Sequence, residues 1–261
     1  MAIANTIVLI TGSQLIMRLS GANSGVGYAA SKVITHASNN YHVIMAGRSR
    51  QRLDKALSDL TATSPQGQLS TLELDVDSED SIKRAAQQVS TDFGRVDVLI
   101  NNAATGNVDD DVRTRFEVQL KTNVLGPRLV AAHFRPLLLK SKNPYSIYVT
   151  SGAGSLGMAA QMRDIPTPPN PDGYCVAKAA LNMVMMQEHV ESVKQNLGIK
   201  VFAVCPGFVK SNLRGPEGVD GWAGVEAGDP EVSGQTLLRV MTGERDEDVG
   251  KAVHKGGVYP W

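Results

Sequence analysis

Short apolar runs and segments of helical period alternate along the whole chain. TIVLIT (6–11) is an apolar run of strand length, of the kind buried on both faces of a parallel sheet. Residues 26–38 then space Ala30, Val33, Ile34 and Ala37 as one helical face, and Asn39-Asn40 can end the helix. HVIMAG (42–47) is a second strand. Residues 50–62 repeat Leu53, Ala56, Leu57 and Leu60 on one face, with Ser49 as a cap. LSTLELDV (69–76) is a third strand, and Asp77 or Ser78 can cap a helix that turns Ile82, Ala85, Ala86 and Val89 inward and closes at Gly94. VDVLINNAA (96–104) is a fourth strand, and a long helical stretch over about 112–140 follows, bent near Pro127 and Pro136. YSIYVTS (145–151) is a fifth strand. IPTPPNPDG (165–173) connects it to a helix at about 174–196, and KVFAVCPG (200–207) is a sixth strand. A Gly-rich irregular region, a short helix and a final strand, GGVYPW, complete the chain.

Repeated strand–helix–strand units predict an α/β fold with a doubly wound parallel sheet in three αβα layers. With no internal linker and no repeat, 1–261 reads as a single domain. The 205–234 stretch is expected to be a substrate lid, because irregular segments of that length are functional or disordered.

Composition narrows the function classes. The chain has 261 residues, 42% hydrophobic and 20% charged, enough for a sizeable core. Lys plus Arg and Asp plus Glu both number 26, so no net field draws in nucleic acid or an anionic membrane. Asp109-Asp110-Asp111 reads as a solvated helix start. Cys175 and Cys205 form no CxxC and are too few for a disulfide framework, which points to reduced, structural thiols and a cytoplasmic location. No apolar run is long enough to span a bilayer, and the first residues lack the basic start of a secretory signal. The five histidines have no metal-ligand spacing, so no metal is expected.

Gly21-Ala-Asn-Ser-Gly25-Val-Gly27 has the spacing GxxxGxG just before a helical pattern. Such glycines let the backbone turn tightly against a pyrophosphate, while the helix start offers free N–H groups; an ordinary Gly-rich turn has the same composition. The loop should begin where the first strand ends, at ITG (10–12), yet the motif resumes only at Gly21. Deleting either Ser13–Gly21 or Gly12–Ser20 restores ITGANSGVG, so nine residues are inserted at a sensitive place. The insertion either bulges outward, leaving Gly21 in the usual role, or obstructs a cofactor and leaves an inactive isoform or a non-enzymatic interaction protein.

About 20 residues past such glycines, a carboxylate takes the ribose hydroxyls of NAD. Here the sequence is AGRSR, with Arg48 and Arg50, and guanidinium binds phosphate through paired hydrogen bonds. NADP(H) is therefore favoured over NAD(H), the alternative being arginines simply solvated at a helix start. Asp75, followed by Val76 at the end of the third strand, can close the adenine pocket or act as a turn residue.

Tyr174 and Lys178 stand at i and i+4, on one helix face. A free phenol titrates near ~10, too high for a base at neutral pH, and a nearby ammonium favours the phenolate. The tuned phenol can then give or take a proton at an alkoxide. The spacing is common and also fits a surface pair. Its company is more specific: Gly21, Gly25 and Gly27, Asn101-Asn102-Ala103-Ala104, Asn123, Ser151, Tyr174 and Lys178, and Pro206-Gly207 occur in this order.

In these joint motifs the chain resembles the short-chain dehydrogenase/reductase family over essentially its whole length. The resemblance implies a Rossmann fold and hydride transfer between a nicotinamide cofactor and a carbonyl or alcohol substrate, in a homodimer or homotetramer. It implies that Tyr174 is the acid/base, that Lys178 binds the nicotinamide ribose, and that Ser151 bonds the substrate oxygen, with Ser155 in its place if the register differs. Asn123 is implied to hold a water linked to the lysine. Gly21, Gly25, Val26, Gly27, Arg48, Asp75, Val76, Asn102, Ala103, Pro206, Gly207, Val209 and Ser211 are implied cofactor contacts. Ala104 departs from the family's glycine. The 23 residues from Ser151 to Tyr174 exceed the usual spacing and resemble the longer entrance segment of carbonyl-reductase-like members.

Overall fold

A computed structural model describes residues 5–12, 25–106, 111–161, 171–211, 213, 221, 222 and 225–261. Ten strands are described: β1 (Thr6–Thr11), β2 (Tyr41–Gly47), β3 (Gln68–Glu73), β4 (Val98–Asn101), β5 (Tyr145–Val149), β6 (Lys200–Val204), β7 (Gly221–Trp222), β8 (Val225–Glu226), β9 (Ala252–His254) and β10 (Gly257–Tyr259). The helices are α1 (Val26–Ala37), α2 (Arg50–Thr61), α3 (Glu79–Asp92), α4 (Val112–Leu120), α5 (Gly126–Leu138), α6 (Leu156–Ala160), α7 (Asp172–Lys194) and α8 (Glu231–Met241).

Eight strands form one sheet in the order β10-β9-β6-β5-β4-β1-β2-β3, parallel except for β10. Successive residues of β1 face opposite ways. Leu9 packs with Ile82 of α3, Phe134 of α5 and Leu181 of α7. Val8 and Ile10 pack with Ile34 of α1, Leu53 of α2 and Leu237 of α8. These two apolar layers on either side of the sheet are the expected αβα arrangement, and they explain why the strands read as continuous apolar runs. β7 and β8 pair separately.

Most predicted elements lie within a few residues of their observed bounds, but three differ instructively. Strand β3 stops at Glu73 rather than Val76, because Asp75 already belongs to the turn: its N–H bonds Ser81 Oγ and its carboxylate accepts from Asp77 N–H. Ser78, one of the two cap candidates, accepts from Ser81 N–H at the start of α3. The expected long helix over 112–140 carries Pro136 inside its last part, α5. It is interrupted by a π-helical turn, Lys121–Leu125, which carries Asn123, and Pro127 is accommodated in the first turn of α5. The final strand is the second arm of an antiparallel hairpin with β9, which apolar pattern alone did not mark in its three residues.

Strand order reverses about β1, which has β4 on one side and β2 on the other. The crevice beyond the carboxyl ends of β1 and β4 is thus the place where this architecture receives a ligand.

Candidate active site

The loops at that crevice surround a cavity of about 750 Å³. Gly12, at the end of β1, adopts φ +69° and lies so close to β4 that a Cβ would stand 2.8 Å from Ala103 Cα. Only glycine satisfies both demands. Beside it, the hydroxyl of Thr11 accepts hydrogen bonds from the N–H groups of Asn102 and Ala103, both at 3.0 Å, and Asn102 Nδ2 donates to Thr11 carbonyl at 2.8 Å. The Asn-Asn-Ala-Ala segment is thereby tied to β1 across the switch point.

Gly25 and Val26 line the cavity where α1 begins. This helix has no side-chain cap and no acidic residue in its first turn, and the space beside Gly25 Cα is open. That arrangement suits an anionic group held by backbone N–H. Gly27 lies buried within α1, where its carbonyl accepts from Ser31 Oγ, and is not on the cavity wall. Gly21 and the rest of 13–24, including the inserted segment, fall outside the described residues. Gly12 occupies the strand-end position.

Further along the same wall stand Arg48, Asp75 and Val76, all expected there, together with Arg52. Arg50 instead pairs with Asp54 on α2. Arg52 lies in the first turn of α2, just past the loop that carries Arg48.

The other end of the cavity holds Ser151, Tyr174 and Lys178. α7 carries the last two, and the Lys178 ammonium stands 5.7 Å from the centre of the Tyr174 ring. Lys178 is buried and donates to Val149 carbonyl at 2.8 Å. Burial disfavours its charge and lowers its pKa to about 8. Ser151 follows β5, accepts from Ala153 N–H and faces the cavity. Ser155 does not: its hydroxyl caps α6 by accepting from Met158 N–H and donates to Pro260 carbonyl. The register thus places Ser151, rather than Ser155, in the site.

Asn123 is fully enclosed by the π turn. Its Oδ1 accepts from Thr105 N–H, and its Nδ2 donates to Thr105 carbonyl and to Gln119 Oε1. It therefore shapes the loop after β4 rather than forming cavity wall. Beyond Pro206 and Gly207, Val209 and Ser211 also line the cavity, as expected. Val209 bridges Gly228, pinching the base of the segment expected to act as a lid; residues 212, 214–220, 223 and 224 of that segment are not described.

Three further groups at this end escaped the sequence reading. Arg115 of α4, itself buried, grips Asp172 with two nitrogens at 2.8 and 3.0 Å, two residues before Tyr174. The pairing holds the Asp172 carboxyl below its ordinary range. Cys205 is a free, buried thiol whose sulfur accepts from Gly152 N–H at 3.3 Å. Tyr259 of β10 also reaches the cavity wall. Nothing in a lone Arg or in a strand tyrosine separates these roles from ordinary surface or core duty.

Below its catalytic end, α7 meets the sheet through a polar seam. Asn182 accepts from Thr150 Oγ1 and donates to Gly154 carbonyl, and Glu188 accepts from Ser146 and Tyr148 hydroxyls. Burial, and after it the Glu188 charge, pushes the Tyr148 phenol well above its usual range.

The sequence matches the model of the short chain dehydrogenase family over residues 16–220. It is 30% identical to the short-chain dehydrogenase/reductase tropE of Talaromyces stipitatus, over 95% of this chain and 98% of that one. It is 31% identical to the short-chain dehydrogenase/reductase eupG of a Phoma species, over 96% and 99%. The fold is shared with a Shigella flexneri short chain dehydrogenase complexed with NADP, at a TM-score of 0.76 and 19% identity, covering 97% of this chain and 98% of that one. The Pseudomonas aeruginosa RhlG/NADP complex gives 0.73 and 21%, covering 96% and 94%. The chain belongs to the short-chain dehydrogenase/reductase family of oxidoreductases, which use nicotinamide cofactors. Among the described residues, no helix is long and apolar enough to cross a membrane.

Proposed function

We propose that the protein is an NADP(H)-dependent oxidoreductase that interconverts a moderately apolar ketone or aldehyde with its alcohol, using Tyr174 as general acid and base. The observation that carries this reading is one continuous cavity, with Ser151, Tyr174 and Lys178 at one end and an uncapped helix start with two arginines at the other. The residues fit a dinucleotide: open space beside Gly25 admits a pyrophosphate, and Arg48 and Arg52 suit the extra phosphate of NADP. Two neighbours of the same fold are described with NADP, which supports the choice.

Nicotinamide, when bound, supplies or accepts the hydride. In the reductive direction the Ser151 hydroxyl donates to the carbonyl oxygen, and Tyr174 gives its proton to the alkoxide as charge develops there. Lys178, still cationic at neutral pH with its pKa near 8, sits beside the phenol and stabilises its deprotonated form. Asn123 would hold a water leading to Lys178 through its backbone, because its side-chain amide is taken up by Thr105 and Gln119. The 205–234 segment remains the proposed lid.

A cytoplasmic homodimer or homotetramer completes the reading. Val176 and Met183, two turns apart on α7, are exposed apolar side chains that a second copy would cover. Replacing Tyr174 with Phe tests the function: NADPH binding should persist while turnover of a ketone falls by about three orders of magnitude. Full turnover in that variant would refute the assignment.

A further inference from the structure

The substrate end of the cavity has a wall that the proposed chemistry does not use. Tyr259 stands there, held from several directions. Its ring stacks on His254, with centroids 4.3 Å apart and planes at 29°. Its hydroxyl end lies over Gly152, where a Cβ would come within 3.1 Å of the ring, so a side chain next to Ser151 would have to press the ring aside by a few tenths of an ångström. The phenol also bonds the buried Cys205 thiol, and its pKa is raised to about 12, chiefly by burial, so it stays neutral beside the reacting groups.

The segment after it is fastened to the same wall. Pro260 carbonyl accepts from Ser155 Oγ, and Trp261 carbonyl accepts from Gly157 N–H at 2.6 Å. Ser155 and Gly157 begin α6, which also brings Met158 to the cavity. The segment after β10 is thus hydrogen-bonded to the start of α6, which follows the turn bearing Ser151. The Tyr259 ring borders the space beside Ser151, and Met158 and Phe208 line the same cavity. Aromatic rings and thioether sulfur both favour contact with flat π surfaces.

We infer that Tyr259 is a specificity-determining residue of the substrate pocket, its ring forming a flat wall beside Ser151 that selects carbonyl compounds bearing an aromatic or conjugated substituent. This deepens the proposed function and rests on it. The wall lies beside Ser151, so the substituent nearest the carbonyl meets it.

Two measurements test the inference. The first is the ratio of kcat/KM for an aryl ketone to that for an alkyl ketone of similar size, with NADPH. Tyr259→Phe keeps the plane and should keep the ratio. Tyr259→Leu keeps apolar bulk without the plane, and the ratio should fall about fivefold, the worth of one aromatic pair. An unchanged or increased ratio in Tyr259→Leu overturns the inference. The second measurement needs no turnover. With 3-fluorotyrosine incorporated, the Tyr259 resonance, assigned by its loss in Tyr259→Phe, should shift when the aryl ketone is added to the NADP-saturated enzyme, and not with the alkyl ketone. An unmoved resonance overturns the wall. Wild-type enzyme that reduces no ketone with either cofactor refutes the proposed function instead, and the fluorine shift then decides the wall by itself.

Discussion

The Lys178 ammonium, at the cavity wall but only 3% exposed, donates to the carbonyl of Val149, the last residue of β5, at 2.8 Å. A cation is thus held largely out of water, and the fold bears the cost. Its pKa is depressed to about 8, so below pH 8 both folded and unfolded chains carry the charge and the burial penalty is fully present. Between about 8 and the unfolded value near 10.4, the unfolded chain binds the extra proton and stability rises with pH. Urea unfolding of the cofactor-free protein should therefore show a gain between pH 7 and pH 9.5 that is absent in Lys178→Met. At pH 7 that variant should be the more stable one, by up to about 3 kcal/mol, and catalytically dead.

The arginines at the opposite end make a cofactor prediction. Arg48→Ala and Arg52→Ala should each raise the KM for NADPH about tenfold, the worth of one charge-assisted hydrogen bond, and leave the KM for NADH nearly unchanged. Steady-state kinetics with both cofactors checks it. Equal losses for the two cofactors would remove these residues from phosphate recognition.

Arg115 and Asp172 should respond unequally to deletion. The Arg115 side chain is 5% exposed and that of Asp172 is 50% exposed. Removing the aspartate takes two charge-assisted hydrogen bonds from a buried guanidinium, whereas removing the arginine leaves a carboxylate that water can reach. Asp172→Ala should lower the unfolding midpoint more than Arg115→Met. Both should cut kcat with little change in cofactor Kd, because the pair anchors the first turn of α7 ahead of Tyr174.

Thr11→Val preserves shape but withdraws the acceptor shared by Asn102 and Ala103 N–H. Both amides then lie at a buried strand end with one bond fewer, at a cost of about 2 kcal/mol. Thr11→Ser restores the oxygen and should recover most of that loss in urea unfolding.

The sequence made the sheet legible because its strands are buried on both faces and its helices carry one apolar stripe. Ser151, Tyr174, Lys178, Asn102 and Ala103 were legible because fixed spacings and their common order mark them. What escaped were partnerships across large sequence separations. Thr11 reaches Asn102 over 91 positions, and Arg115 reaches Asp172 over 57. Tyr259 sits in a strand whose three residues carry no distinguishing period. The π turn escaped too, since nothing in KTNVL marks an extra residue in a helical turn. Gly27 was expected on the cofactor wall by spacing alone, but α1 rotates it inward beneath Ser31.

The polar seam under α7 has a consequence for precision. A helix resting on greasy side chains can slide or roll by a fraction of a turn with little penalty. Here Lys178 and Ser192 each mesh with one carbonyl oxygen, and Asn182 and Glu188 each with two groups, on the neighbouring sheet and loops. Displacing the helix by one residue would strip all four at once. The seam works like the teeth of a rack: it indexes α7 to a single notch, and that notch sets how far Tyr174 reaches toward a bound carbonyl.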